Sequence, residues 1–233
     1  MTETPISTAN TATNQLGVIQ ARIEGAISRF DGASNSAEGR KVTLVAVSKT
    51  FGIAEIEPML LSGHRIFGEN RIQEAKLKWP GLRARYPNIQ LHLIGPLQTN
   101  KVKEAVGLFD VIETIDREKL AAHLSREMLA QHRRLPCFVQ VNIGGEAQKA
   151  GVPPDACVAL VKTCREVYDL NIIGLMCIPP ANQPAGPYFA QLAGLAKLAG
   201  VEALSMGMSA DFETAIAMGA THVRVGSALF GSR

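Results

Sequence analysis

Val42-Thr-Leu-Val-Ala-Val-Ser-Lys49 is the first of eight short apolar runs in the chain, and it ends in a single primary amine. A continuous apolar run of this length is typical of a strand buried on both faces, as in a parallel sheet. Lys49 then stands where the strand meets its loop. Lysines often end strands for structural reasons alone, so the amine becomes informative only through the rest of the chain.

Helical patterns alternate with the apolar runs along the whole sequence. The predicted strands are Thr43–Val47, Arg65–Phe67, Gln90–Ile94, Val111–Thr114, Phe138–Asn142, Ile172–Met176, Ala203–Ser205 and His222–Val225. The predicted intervening helices are Ile53–Leu61, Arg71–Lys78, Asn100–Val106, Arg117–Gln131, Pro154–Val167, Tyr188–Leu198 and Asp211–Met218. Parallel strands need such helical crossovers. Eight units in 233 residues favour a closed (β/α)8 TIM-type barrel over an open doubly wound sheet.

An extra helix is predicted ahead of the first strand. Its apolar residues repeat at helical spacing, and they are Leu16, Ile19, Ile23, Ile27 and Phe30. Residues 1–12 are rich in Thr, Ser and Asn and predict a disordered polar tail. The expected organisation is therefore this tail followed by one barrel domain over residues 13–233.

Composition and charge exclude several classes of function. Apolar residues make up 46% of the chain, and a net charge of +3 without a long basic block gives no indication of nucleic-acid binding. No signal peptide and no apolar run of about 18 residues is present, so neither export nor a membrane span is predicted and we expect a cytoplasmic protein. The four cysteines and five histidines show no metal-ligand spacing. We predict no metal site and reduced thiols in the core.

Barrel closure places strand eight beside strand one, so Arg224 and Gly226 are predicted to lie near Lys49. Phosphate in such barrels is commonly held by the loops after strands seven and eight. Those loops, Ser205–Asp211 and Gly226–Gly231, are small and rich in glycine, which lets backbone amides approach an anion. Glycines that only shape a turn are the alternative. The coincidence of both loops with an amine favours a site for a phosphorylated ligand.

Two side chains suggest what that ligand is. Lys49 is placed to attack an aldehyde such as that of pyridoxal phosphate. Arg224 is predicted to face the barrel interior, where an unpaired guanidinium is very costly. Its acceptor is either the pyridine nitrogen of the cofactor, which it would keep unprotonated, or an ordinary ion pair with a carboxylate such as Glu69 or Asp211.

A series of longer motifs resembles those of a known family. The motifs are Val45-Ala-Val-Ser-Lys-Thr50, Phe67-Gly-Glu-Asn70 with Gln73-Glu74, His92-Leu-Ile-Gly-Pro-Leu-Gln-Thr-Asn-Lys101, Val141-Asn-Ile143, Gly174-Leu-Met176, Ser205-Met-Gly-Met-Ser209 with Asp211-Phe212-Glu213, and Val223-Arg-Val-Gly226 before Phe230-Gly231. From about residue 15 to the end, the chain resembles the pyridoxal phosphate homeostasis protein family. The resemblance implies a barrel that binds pyridoxal phosphate, is similar in fold to the N-terminal domain of alanine racemases and acts in vitamin B6 balance.

The resemblance also implies roles for individual residues. Lys49 resembles the lysine that holds the cofactor as an aldimine, Arg224 the arginine facing the ring nitrogen, and Asn70 the asparagine beside the ring. The residues that resemble the phosphate-binding set are Ser205 or Met206, together with Gly226 and Ser227. Arg71 stands where many members have an aromatic residue, which affects the open side of the cofactor. No catalytic residue and no metal ligand is implied.

The functional prediction is a non-catalytic protein that holds pyridoxal phosphate and buffers it or delivers it to apo-enzymes, acting as a monomer. A racemase-like enzyme is the alternative by analogy of fold. Racemisation needs a second acid or base on the ring face opposite the lysine, and among the tyrosines only Tyr188 is placed to reach the mouth. A barrel enzyme acting on a phosphorylated sugar is a third reading, in which Lys49 and Arg224 are incidental.

Overall fold

The chain folds into a closed barrel of eight parallel strands surrounded by helices. The computed structural model describes residues 6–31 and 40–231. The predicted (β/α)8 fold with an extra N-terminal helix is confirmed. The strands are β1 Thr43–Val47, β2 Ile66–Glu69, β3 Gln90–Leu93, β4 Val111–Ile115, β5 Cys137–Val141, β6 Ile172–Cys177, β7 Ala203–Ser205 and β8 His222–Val225.

Nine α-helices lie within the described residues. They are α1 Ile6–Asp31, α2 Ile53–Leu61, α3 Ile72–Arg85, α4 Val102–Leu108, α5 Glu118–Ala130, α6 Cys157–Glu166, α7 Gly186–Ala199, α8 Phe212–Ala217 and α9 Ser227–Phe230. Short 3-10 turns over Thr99–Lys101 and Pro154–Ala156 lead into α4 and α6. The extra helix α1 contacts α2, α8 and α9 and so covers the helices around the junction of the first and last strands.

Helix α1 is longer than the sequence predicted. It begins at Ile6, inside the segment 1–12 that was predicted to be a disordered tail. Extending an established helix adds one hydrogen bond per residue without a new nucleation step, so a polar composition does not by itself end it. Residues 1–5 lie outside the described residues.

Helix α3 also continues beyond its predicted end at Lys78. It passes through Pro80, which cannot donate a backbone hydrogen bond, and ends at Arg85. Trp79 and Leu82 are fully buried against the rest of the protein. Burial of these two side chains offsets the lost hydrogen bond, because each contributes about 2 kcal/mol or more.

Strands β1 and β8 pair directly and close the barrel. Val45 lies opposite Arg224 in this parallel pair. Because alternate residues of a strand share one face, Val45, Val47 and Arg224 point into the barrel, and Lys49 continues the inner face of β1 at the mouth. Closure therefore brings the two ends of the barrel sequence together, as predicted.

The interior of the barrel changes from apolar to polar toward the mouth. Val111, Phe138 and Met176 form a small buried apolar cluster. Two residues further along β4 and β5, Glu113 and Gln140 begin a polar layer. The buried polar side chains of this layer are His92, Glu113, Gln140, Ser205 and Arg224. The site is thus supported by a layer of hydrogen-bonding groups, whose geometry fixes more than an apolar layer does.

The structure also bears on the excluded classes of function. No helix over residues 6–31 and 40–231 combines the length and apolar character needed to cross a membrane. The same residues contain no group of three or more side chains placed to hold a metal ion. All four cysteines are buried free thiols, and burial raises their pKa, to about 12 in the case of Cys177.

Candidate functional site

Lys49 lies in the turn after β1, formed by Ser48–Phe51 and called the lysine turn below. Its side chain is exposed, and Nζ has no hydrogen-bond or ion-pair partner among the described residues. The next residue, Thr50, has a φ of 68°, in the left-handed region that non-glycine residues usually avoid. Phe51 stacks on Phe230 of α9 with ring centroids 4.8 Å apart. The turn is therefore held in a defined shape while its amine is free.

The loops after β7 and β8 meet at the hydroxyl group of Ser209. Its Oγ accepts hydrogen bonds from the amides of Gly226 and Ala228, each at 3.3 Å. A β-carbon at Gly226 would lie only 3.3 Å from Val47 Cβ, so glycine allows the β8 loop to approach β1 closely. Two amides and a hydroxyl thus converge beside Val47, which lies two residues before Lys49, and backbone amides gathered in this way suit phosphate oxygens.

Gly226 and Ser227 lie at the mouth as predicted, whereas Ser205 and Met206 lie deeper in the barrel. Ser227 is exposed at the start of α9. The Met206 amide donates to the carbonyl of His222 at 3.1 Å within the strand ladder, and the Ser205 hydroxyl is fully buried. The reason is that β7 ends at Ser205, so the chain needs several more residues to reach the mouth.

Arg224 is 4% exposed and its hydrogen-bond partners are both neutral. Nη1 donates to Ser205 Oγ at 2.7 Å, and Nη2 donates to the carbonyl of Cys177 at 2.8 Å. The structure of residues 6–31 and 40–231 contains no ion pair from Arg224 to Glu69 or Asp211, the alternative considered from sequence. The guanidinium is thus fixed in orientation by hydrogen bonds along two edges, and its charge requires a carboxylate nearby.

That carboxylate is Glu113, which is fully buried in the middle of β4. Glu113 Oε2 accepts a hydrogen bond from Ser205 at 2.6 Å, and Oε1 lies 2.6 Å from His92 Nδ1. Burial alone would raise the pKa of Glu113, but His92, Arg224 and Ser205 together lower it to about 2. A continuous chain, Arg224–Ser205–Glu113–His92, therefore holds an ionised carboxylate under the site.

His222 closes the polar layer on the side away from the mouth. Its ring packs edge-on against Phe138 at 5.2 Å, and Nδ1 lies 2.8 Å from Thr221 Oγ1. Burial lowers the pKa of His222 to about 4, with the Glu113 carboxylate opposing that change and His92 and Arg224 adding to it. His222 is accordingly neutral near pH 7.

A second buried carboxylate, Glu69, lies outside the barrel between β2 and α3. Its Oε1 accepts from Ser48 at 2.7 Å and from Trp79 at 3.1 Å, and it lies 2.7 Å from Lys78 Nζ. Its Oε2 is buried and has no partner among the described residues. Burial raises the pKa of Glu69 by more than Lys78, Ser48 and Trp79 lower it.

Asn70 follows β2 and is half-buried at the edge of the mouth. A β-carbon at Gly95 would lie 2.2 Å from the Asn70 carbonyl, so glycine is required for the β3 loop to pack against it. A polar cavity of about 480 Å³ adjoins Asn70 and is lined by Arg71, Gln98 and Lys101 among others. Arg71, which stands where many members of the similar family have an aromatic residue, thus lines a cavity beside Asn70.

Three groups at or beneath the site were not assigned their roles from sequence. Ser209 stands within the quoted motif Ser205–Ser209 but was not distinguished from its neighbours. Glu113 gave a usable signal, because a lone carboxylate in the middle of the apolar strand Val111–Ile115 needs buried partners. Lys78 gave none, since a lysine on an amphipathic helix is normally solvated.

Comparison with known proteins shows the family to which this sequence belongs. The alanine racemase N-terminal domain family matches residues 28–233. The pyridoxal phosphate homeostasis protein of Vibrio cholerae is 39% identical over 92% of this chain and 93% of its own length.

Two solved structures are similar over nearly the whole chain. An unknown protein from Bifidobacterium adolescentis has a TM-score of 0.87 at 31% identity, covering 96% of both chains. PipY of Synechococcus elongatus, solved with pyridoxal phosphate bound, has a TM-score of 0.79 at 33% identity and covers 94% of this chain and 100% of its own. Both structures are also more than 30% identical in sequence to this chain.

Proposed function

This chain belongs to the pyridoxal phosphate homeostasis protein family, and from that premise we propose that it binds pyridoxal 5′-phosphate at the barrel mouth and serves vitamin B6 homeostasis. The observation that carries the proposal is the position of a free amine, Lys49, beside the cradle of Ser209, Gly226 and Ala228 across the β1–β8 junction. An amine and a phosphate cradle in one mouth match the aldehyde and the phosphate group of the cofactor.

The residues present fit the cofactor group by group. When bound, the cofactor supplies an aldehyde that forms a reversible carbon–nitrogen double bond with a primary amine, and Lys49 is the amine that we propose. The amides of Gly226 and Ala228, with the hydroxyls of Ser209 and Ser227, would hold the phosphate. We propose Ser209 in place of Ser205 or Met206, because the Ser205 hydroxyl is bonded to Glu113 and Arg224 and the Met206 amide donates to the carbonyl of His222.

Arg224 and Asn70 complete the proposed set. We propose that Arg224 faces the pyridine nitrogen and that Asn70 lies beside the ring. The hydrogen bonds from Arg224 to Ser205 and from Ser205 to the ionised Glu113 fix the guanidinium group in place, and the carboxylate balances its charge. A permanent cation at the ring nitrogen leaves that nitrogen unprotonated and makes the ring a weak electron sink. This arrangement favours holding the cofactor over converting amino acids.

The finer role that we propose is a non-catalytic reservoir that buffers the cofactor or delivers it to apo-enzymes in the cytoplasm, as a monomer. Lys49 and Ser227 are both exposed to solvent, as a site that exchanges its cofactor requires. Tyr188, the one tyrosine considered as an opposite-face acid for a racemase, donates its hydroxyl to Gln183 in the loop before α7. No contact of Tyr188 favours the enzyme alternative.

Replacement of the proposed amine tests the function directly. Lys49→Ala should abolish both the visible absorbance of the protein incubated with pyridoxal phosphate and the adduct trapped by borohydride. The fold should survive, because the side chain is exposed to solvent. Lys101→Ala and Lys149→Ala are matched controls that should keep both signals. A trapped adduct on Lys101 or Lys149 in the wild-type protein would overturn the assignment.

A further inference from the structure

The turn that carries the proposed reactive amine is held from beneath by a buried lysine of α3. Lys78 Nζ donates to the Ser48 carbonyl at 3.0 Å and to the Phe51 carbonyl at 3.1 Å. These two carbonyls belong to the first and last residues of the lysine turn. The ammonium group therefore spans the turn and fixes the distance between its ends, with Lys49 and Thr50 between them.

Two carboxylates complete this arrangement. Glu69 lies 2.7 Å from Lys78 Nζ and accepts a hydrogen bond from Ser48 Oγ at 2.7 Å. Glu74 lies 2.8 Å from Lys78 Nζ and accepts from the backbone amide of Thr50. Every residue of the lysine turn except Lys49 is thus bonded to the cluster formed by Glu69, Glu74 and Lys78, which we call the turn anchor.

The cost of the turn anchor indicates that it does more than fill space. The side chain of Lys78 is only 8% exposed, and burying an ammonium group is unfavourable compared with an apolar residue of similar size. Lys76, two residues earlier on the same helix, is 53% exposed and pairs with Glu104 at the surface. A lysine on α3 can therefore reach solvent, but Lys78 is turned inward onto the carbonyls that flank Lys49.

The turn anchor holds a backbone conformation that is unfavourable on its own. Thr50 has a φ of 68°, a left-handed conformation that persists only where the surroundings impose it. The bonds to Ser48, Thr50 and Phe51 impose it here. If they were lost, Thr50 would relax toward ordinary backbone angles and the direction of the Lys49 side chain would change with it.

We propose that Lys78, acting with Glu69 and Glu74, is a positioning residue that aims the Lys49 amine at the aldehyde of the cofactor. The proposal rests on the proposed function. In the step it serves, the neutral Lys49 amine would add to the aldehyde carbon, a carbon–nitrogen double bond would replace the carbon–oxygen double bond, and the two amine hydrogens would leave with the oxygen as water, with no change of oxidation state. Lys78 itself touches neither the cofactor nor the reacting atoms.

The test compares two ligands that differ only at the reacting carbon. Pyridoxal 5′-phosphate carries the aldehyde, whereas pyridoxine 5′-phosphate carries an alcohol and cannot bond to an amine. Affinity for the second ligand reports the phosphate and ring contacts alone, and the ratio of the two dissociation constants reports the Lys49 bond. Both constants are measured by calorimetry on the full chain, with thermal unfolding as a check on the fold.

Lys78→Met keeps an unbranched side chain but removes the ammonium group. We expect it to weaken pyridoxal phosphate binding by roughly tenfold or more, since small misplacements of a reacting group have effects of this size. Binding of pyridoxine phosphate should stay within about twofold. Lys76→Met is the matched control and should change neither constant.

Two further variants keep the test decisive. In the Lys49→Ala background, Lys78→Met should have no further effect on the affinity for either ligand, because no amine is then left for Lys78 to position. Glu74→Ala removes the acceptor of the Thr50 amide from a partly exposed position, so it tests the same turn if Lys78→Met fails to fold. It too should weaken the aldehyde ligand selectively.

The outcomes separate the two proposals. Equal losses for both ligands in Lys78→Met and Glu74→Ala, or no loss for either, would overturn the positioning role while leaving the proposed function in place. Failure of the proposed function shows in the wild-type protein instead. If the two ligands bind equally there and borohydride traps no adduct on Lys49, the amine takes no part in binding.

Discussion

Two carboxyl groups of the same barrel, Glu69 and Glu113, are both completely buried, yet their pKa values are displaced in opposite directions. Inside the barrel, Glu113 has a partner on each oxygen and a pKa lowered to about 2. Outside, Glu69 concentrates its bonds on Oε1, leaves Oε2 unpaired within the described residues, and has a raised pKa. Burial disfavours ionisation in both cases. The difference teaches that burial alone does not set the pKa of a carboxyl group, and that the arrangement of its partners decides whether the pKa is lowered or raised.

The largest expected effect comes from removing each charge in turn. Glu113→Gln should lower the free energy of unfolding at pH 7 by about 3 kcal/mol, because a pKa of about 2 against an ordinary value of 4.5 corresponds to that energy. Glu69→Gln should lower it by less, since the raised pKa shows that burial already disfavours ionisation there. Urea denaturation of both variants measures the difference. Similar losses in the two would break the comparison.

The pH dependence of the free energy of unfolding is the next test of this comparison. His222 has a folded pKa of about 4 against an ordinary value of 6.5, so the folded state binds fewer protons than the unfolded state in that interval. Stability should therefore fall as the pH drops from 6.5 to 4, by about 3 kcal/mol, with Glu113 adding a further loss as the pH falls from 4.5 toward 2.

Glu69 acts in the opposite direction. Its folded pKa is raised above 4.5, so the folded state binds more protons and stability declines as the pH rises from 4.5 through the raised value. Unfolding free energies between pH 3 and pH 8 for the wild-type protein and for His222→Phe check both limbs. The substitution should remove the loss between pH 6.5 and 4, and an unchanged acid limb would assign that loss to other groups.

The smallest expected effect concerns the serine bonded to each carboxylate. Ser205→Ala removes one bond to Glu113 and one from Arg224, both charged, and should cost about 2 kcal/mol of unfolding free energy. Ser48→Ala removes one bond to Glu69, which keeps Trp79 and Lys78, and should cost about 1 kcal/mol. Thermal unfolding of the pair measures the order, and a reversed order would mean that Glu69 is the more ionised group.

Much of the fold followed from the sequence because each element carried its own signal. β1, β7 and β8 were predicted with the bounds that they have in the structure, since each is an apolar run between polar or glycine-rich segments. α3 was predicted too short because proline usually ends a helix, and the burial that carries it past Pro80 comes from residues of the barrel. Local signals thus gave the elements, and tertiary packing decided where one of them ends.

The site was predictable only in part, for a different reason. Lys49 and Gly226 follow from the pairing of the first and last strands, a rule of the fold. Glu69 and Glu113 look alike in sequence, each a single carboxylate near a strand end or centre. Their partners are distant along the chain, as Ser205 is from Glu113, so the sequence could not indicate which one remains ionised.

The junction of β1 and β8 has a consequence for how the protein is made. Lys49 follows the strand that a ribosome would complete first, and the cradle at Gly226 follows the strand completed last, so nearly all of the barrel is synthesised before the two can meet. Contacts this distant along a chain form slowly. A ligand that touches both sides of the junction binds only molecules whose barrel has closed, and by mass action it keeps them closed. Occupancy of the mouth would then mark a chain that has finished folding.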